Sequence, residues 1–358
     1  MKKLDKIAEI LAKAVSGNRL DFAEGVALLK SDEIILLGLA ASSITKRIHP
    51  EPVVTFVIDR NINYTNICNV RCRFCAFCRS AGETDAYVLS YDEIYDKIKE
   101  TLACGGTQIL MQGGLHPDLP FSYYLDMLHG IKERFDIDIH SFSPPEIVHF
   151  SQITGLSVRD VLVKLREAGL DSIPGGGAEI LDNRVRTYIS PDKISWEEWM
   201  NVMTTAHELG MKSTATMMFG SVETLEERVM HMVRVRDAQD RTGGFRAFIP
   251  WSFQPGNTRL GGETATGLDY LKTLAVSRLM LDNVPNIQAS WVTQGAKMAQ
   301  VSLNFGANDF GGTMLEENVV RAAGVSNRVP LDEIIKSIRD AGYTPAQRNT
   351  NYNILKCY

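Results

Sequence analysis

The stretch VVTFVIDRNINYTNICNVRCRFCAFCR, residues 53–79, decides how this chain is read. Its opening, VVTFVI (53–58), is a β-branched run of strand type. Its second half carries Cys68, Cys72 and Cys75 in C-x3-C-x2-C spacing, with Phe74 before the third cysteine and Cys78 just beyond. Three thiolates on one short loop hold a metal centre and leave a coordination position open. That open position separates reactive centres from structural ones closed by four protein ligands. The spacing also differs from the paired C-x2-C motifs of zinc ribbons. The competing reading is a zinc-stabilised binding protein without catalysis, its ion held by Cys68, Cys72, Cys75 and Cys78.

Outward from this loop, short strand-like runs alternate with amphipathic helical patterns. Further strands are predicted at 107–111 (TQILM), 137–142 (IDIHSF), 171–174 (DSIP), 212–218 (KSTATMM), 245–250 (FRAFIP), 286–291 (NIQASW) and 302–306 (SLNFG). Ser90 with Glu93, Ser195 with Glu198 and Thr224 with Glu227 form S/T-x-x-E capping boxes that open helices between them. In the helix after Ser195, Trp196, Trp199, Met203 and Ala206 recur every three to four residues, a stripe for helix-to-barrel packing. Eight strands alternating with helices match an α/β fold of the (β/α)8 TIM-barrel type. A doubly wound sheet is the main competitor, but no G-x-G-x-x-G follows the first strand. Residues 1–50 read as an N-terminal helical extension and 51–358 as the barrel domain. Within the extension, Ile34 to Ile44 reads as a buried helix too short to span a bilayer.

The polar and glycine-rich segments all fall past the ends of predicted strands, on the face where barrel enzymes place their chemistry. They include Gln112-Gly113-Gly114, Ser143-Pro144-Pro145-Glu146, Gly175-Gly176-Gly177-Ala178-Glu179 and Asn308-Asp309-Phe310-Gly311-Gly312. The triple glycine is not a phosphate loop, since no Gly-Lys-Ser/Thr follows it. Ser143 and Glu146 also suit a helix N-cap, and Glu179 a solvated helix start. Cys104 reads as a buried helix residue and Cys357 as a tail thiol.

Composition narrows the class. The chain has 358 residues, 44% hydrophobic and 23% charged, with a net charge of −5. This balance argues against a general nucleic-acid binder. Six cysteines, four of them clustered, do not form a disulfide framework. Charged residues interrupt any apolar run near the N-terminus, so no export signal or membrane span is expected and a cytoplasmic protein is.

The C-x3-C-x-Φ-C pattern, with Phe74 as the aromatic, resembles the radical S-adenosylmethionine (SAM) superfamily. Longer strings narrow the resemblance: RNINYTNIC running into CRFCAF, then MQGGLHPDL, HSFSPPEI, IPGGGAEIL, FQPGNT and GANDFGGTMLEEN. Together they resemble its menaquinone-futalosine branch from about residue 20 onward. IPGGGAEIL followed by DNRVR is more similar to the futalosine-cyclising family than to its aminofutalosine-forming sister. GANDFGGT is shared with deazaflavin-cofactor synthases. Cys78 departs from the pattern, which expects tyrosine after CAF.

The resemblance implies a [4Fe-4S] cluster on Cys68, Cys72 and Cys75, with SAM on the open iron and Cys78 a non-ligand. It places Phe74 near the adenine and lets Gln112, Gly113 and Gly114 approach the methionine end of SAM. Ser143 and Glu146 are expected at the SAM ribose or the substrate, and Gly176 at the substrate. The implied reaction cyclises dehypoxanthine futalosine: hydrogen is taken from the ribose, a carbon–carbon bond forms to the benzoate ring, and one electron and one proton are lost. Glu179 and Asp309 are expected as bases, His116 and Arg259 as partners of the benzoate carboxylate. Arg71, Arg73 and Arg79 are expected either to balance cluster charge or to dock an acidic electron donor such as flavodoxin or ferredoxin.

Overall fold

The first strand runs straight into the site. β1 (Val53–Val57) and β2 (Asp59–Ile62) are separated by Ile58 alone and act as one long strand. The computed structural model describes residues 2–358. After β2 come β3 (Gln108–Met111), β4 (Asp138–Ser141), β5 (Ser172–Ile173), β6 (Lys212–Phe219), β7 (Phe245–Ser252), β8 (Asn286–Ile287) and β9 (Asp309–Gly312). β2 through β8 pair in chain order, all parallel. β9 pairs in parallel with β1 through Thr55↔Asp309 and Val57↔Gly312. A bridge between Gln288 and Asp309 ties it to β8. Counting β1 and β2 as one strand, eight parallel strands close a (β/α)8 barrel.

Helices cover the outside between strands, and all three expected capping boxes form. On helix Trp196–Glu208 the stripe packs as expected: Trp199, Met203 and Ala206 are buried, with Trp199 stacked on Phe245. The N-terminal helices Lys2–Val15, Phe22–Leu29 and Ile34–Ile48 pack together and onto barrel helices Leu225–Thr242 and Gly267–Met280. Helix Ile34–Ile48 is not buried all round. Leu37 and Ala41 are inside, but Ile35 and Leu39 are 65% and 64% exposed. Among the described residues no helix is long and apolar enough to cross a membrane.

Three readings from sequence are corrected. The eighth strand is not SLNFG: Ala296–Ser302 is helical, and the strand is DFGG at 309–312. Two glycines hide it from a propensity reading. Gly312 is nonetheless required, because a Cβ there would lie 2.2 Å from Asp59 Oδ1. The seventh strand stops at Ile287, and Trp291 opens a short helix instead. Cys104 is exposed at the C-cap of helix Tyr91–Ala103.

Two strands were not expected. β10 (Thr344–Arg348) runs parallel beside β1, and β11 (Ile354–Cys357) returns antiparallel to β10. Cys357 lies on β11, exposed. The segment from Arg348 to Tyr352 closes the floor of the barrel, where Arg348, Thr350 and Tyr352 line the central cavity.

Candidate active site

The cysteine loop is held by backbone contacts from three sides. Asn69 N–H donates to Leu115 carbonyl (3.0 Å), Arg73 N–H to Ile189 carbonyl (2.7 Å), and Leu260 N–H to Arg73 carbonyl (2.8 Å). Leu115 N–H also donates to Cys68 Sγ at 3.3 Å, a contact suited to a thiolate ligand. Burial raises the Cys68 thiol and pushes Cys72 up to about 11. Cys75 and Cys78 share a hydrogen bond that raises the first and lowers the second, and Arg71 beside Cys78 adds to that lowering. All four sulfurs are free of disulfides. Among the described residues no group of His, Cys, Asp and Glu is gathered tightly enough to hold a single ion.

The residues expected at SAM are knit into the protein itself. A Cβ on Gly113 would meet the Tyr64 ring at 2.4 Å, and one on Gly114 would meet the Ile67 carbonyl oxygen at 2.1 Å. These glycines therefore let the loop after β3 press against the cysteine loop. Ser143 and Glu146 form a capping box opening helix Pro144–Thr154, and both are buried. Glu146 accepts from Ser143 N–H (2.7 Å), Ser143 Oγ (2.5 Å), Gly113 N–H (3.1 Å) and the Tyr64 hydroxyl. That carboxylate clamps three loops, so Ser143 and Glu146 position the site. Gln112 lines the cavity.

Glu179 sits at the junction of cavity and cysteine loop. It is 5% exposed and takes a left-handed φ of 39°, a strained conformation for a non-glycine residue. Lys193 Nζ donates to its Oε1 at 2.9 Å, and Arg186 lies 3.5 Å from Oε2, which has no hydrogen bond. Lys193 also rests 5.3 Å from the centroid of the Phe74 ring. Burial works against the charge on Lys193, but Glu179 and the Cys72 sulfur outweigh it and raise its pKa. Arg186 donates to the carbonyls of Gly177, Ala178 and Ile194, bracing the loop that carries Glu179. The triple glycine is pinned by Trp199 Nε1 on the Gly176 carbonyl (3.1 Å) and by Thr216 Oγ1 on the Gly175 carbonyl (2.7 Å).

Below this rim the barrel is hollow. A cavity of about 1340 Å³, including the space at its mouth, descends from Gly175, Gly176, Gly177 and Glu179 to Arg246, Arg348 and Tyr352. Barrel interiors are usually filled by branched apolar side chains. Here Asp59, Asn61, Gln108, His140, Thr214 and Thr216 face inward instead. Burial pushes Asp59 up to about 6, against a hydrogen bond from Met314 N–H (3.0 Å). Sequence reading missed these residues and Lys193. The signal was present as three consecutive polar residues on a buried strand in DRNI (59–62) and as polar residues alternating with apolar ones in TATM (214–217), on strands packed on both sides.

Of the expected site residues, Gln112, Gly176 and Glu179 reach the cavity wall. His116 is buried elsewhere, its Nδ1 accepting from Asp118 N–H (3.1 Å). Arg259 is exposed and donates to the Arg71 carbonyl (2.6 Å), a clamp on the cysteine loop. Asp309 lies within a strand rather than after one. Its carboxylate is engaged by Arg348 Nε (2.5 Å), Arg348 Nη2 (3.1 Å) and Thr55 Oγ1 (2.5 Å).

The donor set fits an iron–sulfur cluster with SAM beside it. Three soft thiols lie on one loop, an N–H points at the first sulfur, and the part-buried Lys193 ammonium adds positive charge near the second. Comparison with known proteins agrees. The radical SAM superfamily model matches residues 62–235, and the CofH/MqnC C-terminal region model matches 242–358. The cyclic dehypoxanthine futalosine synthase of Halalkalibacterium halodurans is 52% identical over 351 residues, covering 98% of this chain and 95% of that one. The aminodeoxyfutalosine synthase of Thermus thermophilus is 42% identical over 361 residues, covering 99% and 97%. In fold, the chain is similar to the [FeFe]-hydrogenase maturase HydG of Carboxydothermus hydrogenoformans, with a TM-score of 0.76 at 19% identity over 97% of this chain and 81% of that one. With cluster loop, hollow barrel and full-length relatives in agreement, the chain belongs to the radical SAM superfamily, in its CofH/MqnC family.

Proposed function

We infer that this protein cyclises dehypoxanthine futalosine to cyclic dehypoxanthine futalosine, a reaction of menaquinone biosynthesis. The observation that carries this reading is the 52% identity to a synthase of that name along almost the whole of both chains. When bound to Cys68, Cys72 and Cys75, the [4Fe-4S] cluster with SAM supplies a carbon radical able to take hydrogen from the substrate's ribose. The chain's own residues do the rest. The cavity encloses ribose and benzoate together, so the new carbon–carbon bond forms without escape to solvent. Lys193 holds positive charge beside the cysteine loop, and Phe74 beneath it offers a flat apolar surface to the adenine.

Restoring the aromatic ring releases one electron, which the cluster would take back, and one proton, which needs an acceptor on the cavity wall. Of the two expected bases, Glu179 is the one at the cavity, and its Oε2 carries no hydrogen bond. Glu179→Gln should therefore leave SAM cleavage intact and lose cyclised product. Unchanged product yield would remove Glu179 from that role. At the surface, Arg73 is exposed beside the cluster loop and suits docking of an acidic electron donor such as flavodoxin or ferredoxin in the cytoplasm.

The deciding experiment is an anaerobic incubation with SAM, a reductant and dehypoxanthine futalosine, read by mass spectrometry. Cyclic product with release of one 5′-deoxyadenosine per turnover is expected. Transfer of the adenosyl group into the product would instead assign the chain to the aminodeoxyfutalosine-forming reaction.

A further inference from the structure

Two guanidinium groups lie at the floor of the cavity, and their surroundings differ sharply. Arg348 is neutralised: both oxygens of Asp309 accept from it, and its guanidinium lies 3.8 Å from the centroid of the Tyr352 ring. Arg246, at the start of β7, has no acidic partner within ion-pair distance among the described residues. Its Nη1 donates to Asn351 Oδ1 at 2.6 Å. Its Nε and Nη2 are buried and carry no hydrogen bond. Those two nitrogens form one edge of the guanidinium, the edge that pairs with both oxygens of a carboxylate.

The neighbouring charges leave that edge unsatisfied. Asp138 and Asp171 act on Arg246 only at longer range, neither within ion-pair distance, and Asp171 is held by Lys132 Nζ and Ile139 N–H, each at 2.7 Å. His140 adds no positive charge of its own, because burial and the two arginines keep it neutral. Buried cations without an anion are costly, and buried N–H groups without acceptors add to that cost. An anion entering the cavity relieves both. Above Arg246 on the same strand, Ile249 and Trp251 line the cavity, with Leu110 of β3 also on its wall. A cation at the bottom with apolar surface above it matches an aromatic ring that carries a carboxylate.

We propose that Arg246 is the carboxylate-binding residue of this cavity and pairs through Nε and Nη2 with the benzoate carboxylate of the substrate. The proposal rests on the cyclisation reading, since the anion it names is part of that substrate. It replaces Arg259 and His116, neither of which reaches the cavity. It also sets direction: the benzoate points down the barrel, and the ribose stays at the rim near the cysteine loop.

The test is equilibrium binding to the cluster-loaded protein, with dehypoxanthine futalosine and an analogue in which hydrogen replaces the carboxylate. Wild type should favour the carboxylate over the analogue by on the order of 50-fold. Arg246→Gln should lose that preference while binding the analogue as wild type does, and Arg246→Lys should recover part of it. Circular dichroism and iron content should match wild type, because Arg246 makes one side-chain hydrogen bond, to Asn351. Equal weakening of both ligands in Arg246→Gln, or a preference that survives it, overturns the assignment. If wild type converts the substrate while the preference is absent, only Arg246 is wrong. If wild type neither binds nor converts the substrate, the reaction and the assignment both fall.

Discussion

The rim and the floor of the cavity are assembled in different ways. At the rim, the three expected cluster ligands come from one short segment, and neighbouring loops fix it largely through backbone hydrogen bonds. At the floor, Asp59, His140, Arg246 and Arg348 come from β2, β4, β7 and β10, and among the described residues only Arg348 of these is ion-paired, to Asp309 of β9. A site made of contiguous residues with backbone anchors tolerates the loss of a side chain in its fold but not in its chemistry. A site made of buried charges carries stability as well, because each charge depends on its partner.

Breaking the rim should give the largest functional effect with little change in fold. Cys72→Ser should abolish both iron binding and turnover. Cys78→Ser should keep both, measured by iron content after anaerobic reconstitution and by product yield. Loss of iron in Cys78→Ser would make that thiol a ligand.

At the floor, Arg348→Met leaves Asp309 buried without its counter-ion. The expected cost is about 3–5 kcal/mol in urea unfolding, and the double variant Arg348→Met, Asp309→Leu should recover most of it. A single variant as stable as wild type would mean that the pair does not hold the floor.

Asp59 gives a pH signature to the same region. Its folded pKa of about 6 lies above the ordinary 3.8, so the folded state holds the proton more tightly than the unfolded state. Its contribution favours folding at low pH and is lost as pH rises from 3.8 through about 6. Asp59→Asn should be near wild type in stability at low pH and roughly 2–3 kcal/mol more stable at neutral pH. A difference independent of pH would show that the carboxyl titrates normally.

The smallest effect should come from outside both regions. Ser195→Ala removes the side-chain acceptor that caps helix Trp196–Glu208 and should cost about 1 kcal/mol with turnover unchanged. A marked loss of turnover would mean that this helix, through Trp199 and Gly176, tunes the rim.

Much of the rim was readable because its information is local. The spacing Cys68, Cys72, Cys75 specifies a donor set without reference to the rest of the chain. Capping boxes at Ser90, Ser195 and Thr224 are likewise decided within one helical turn. What failed depended on distant partners. The strand at 309–312 looked like a loop because Gly312 answers a steric demand from Asp59, on a strand far away in sequence. The capping role of Glu146 was legible, but not that Tyr64 and Gly113 converge on the same carboxylate.

The sequence by itself determined the cluster loop, the alternation of strands and helices from β1 through β8, and the family. These follow from residue spacing, periodicity and short strings, which the chain carries before it folds. Only the tertiary structure decided that the barrel is hollow with polar side chains among its lining, that Lys193 stands between Glu179 and Phe74, and that Asp309 is neutralised while Arg246 is not. The physical reason is that a buried charge is defined by what surrounds it. Its neighbours arrive from other strands only when the barrel closes.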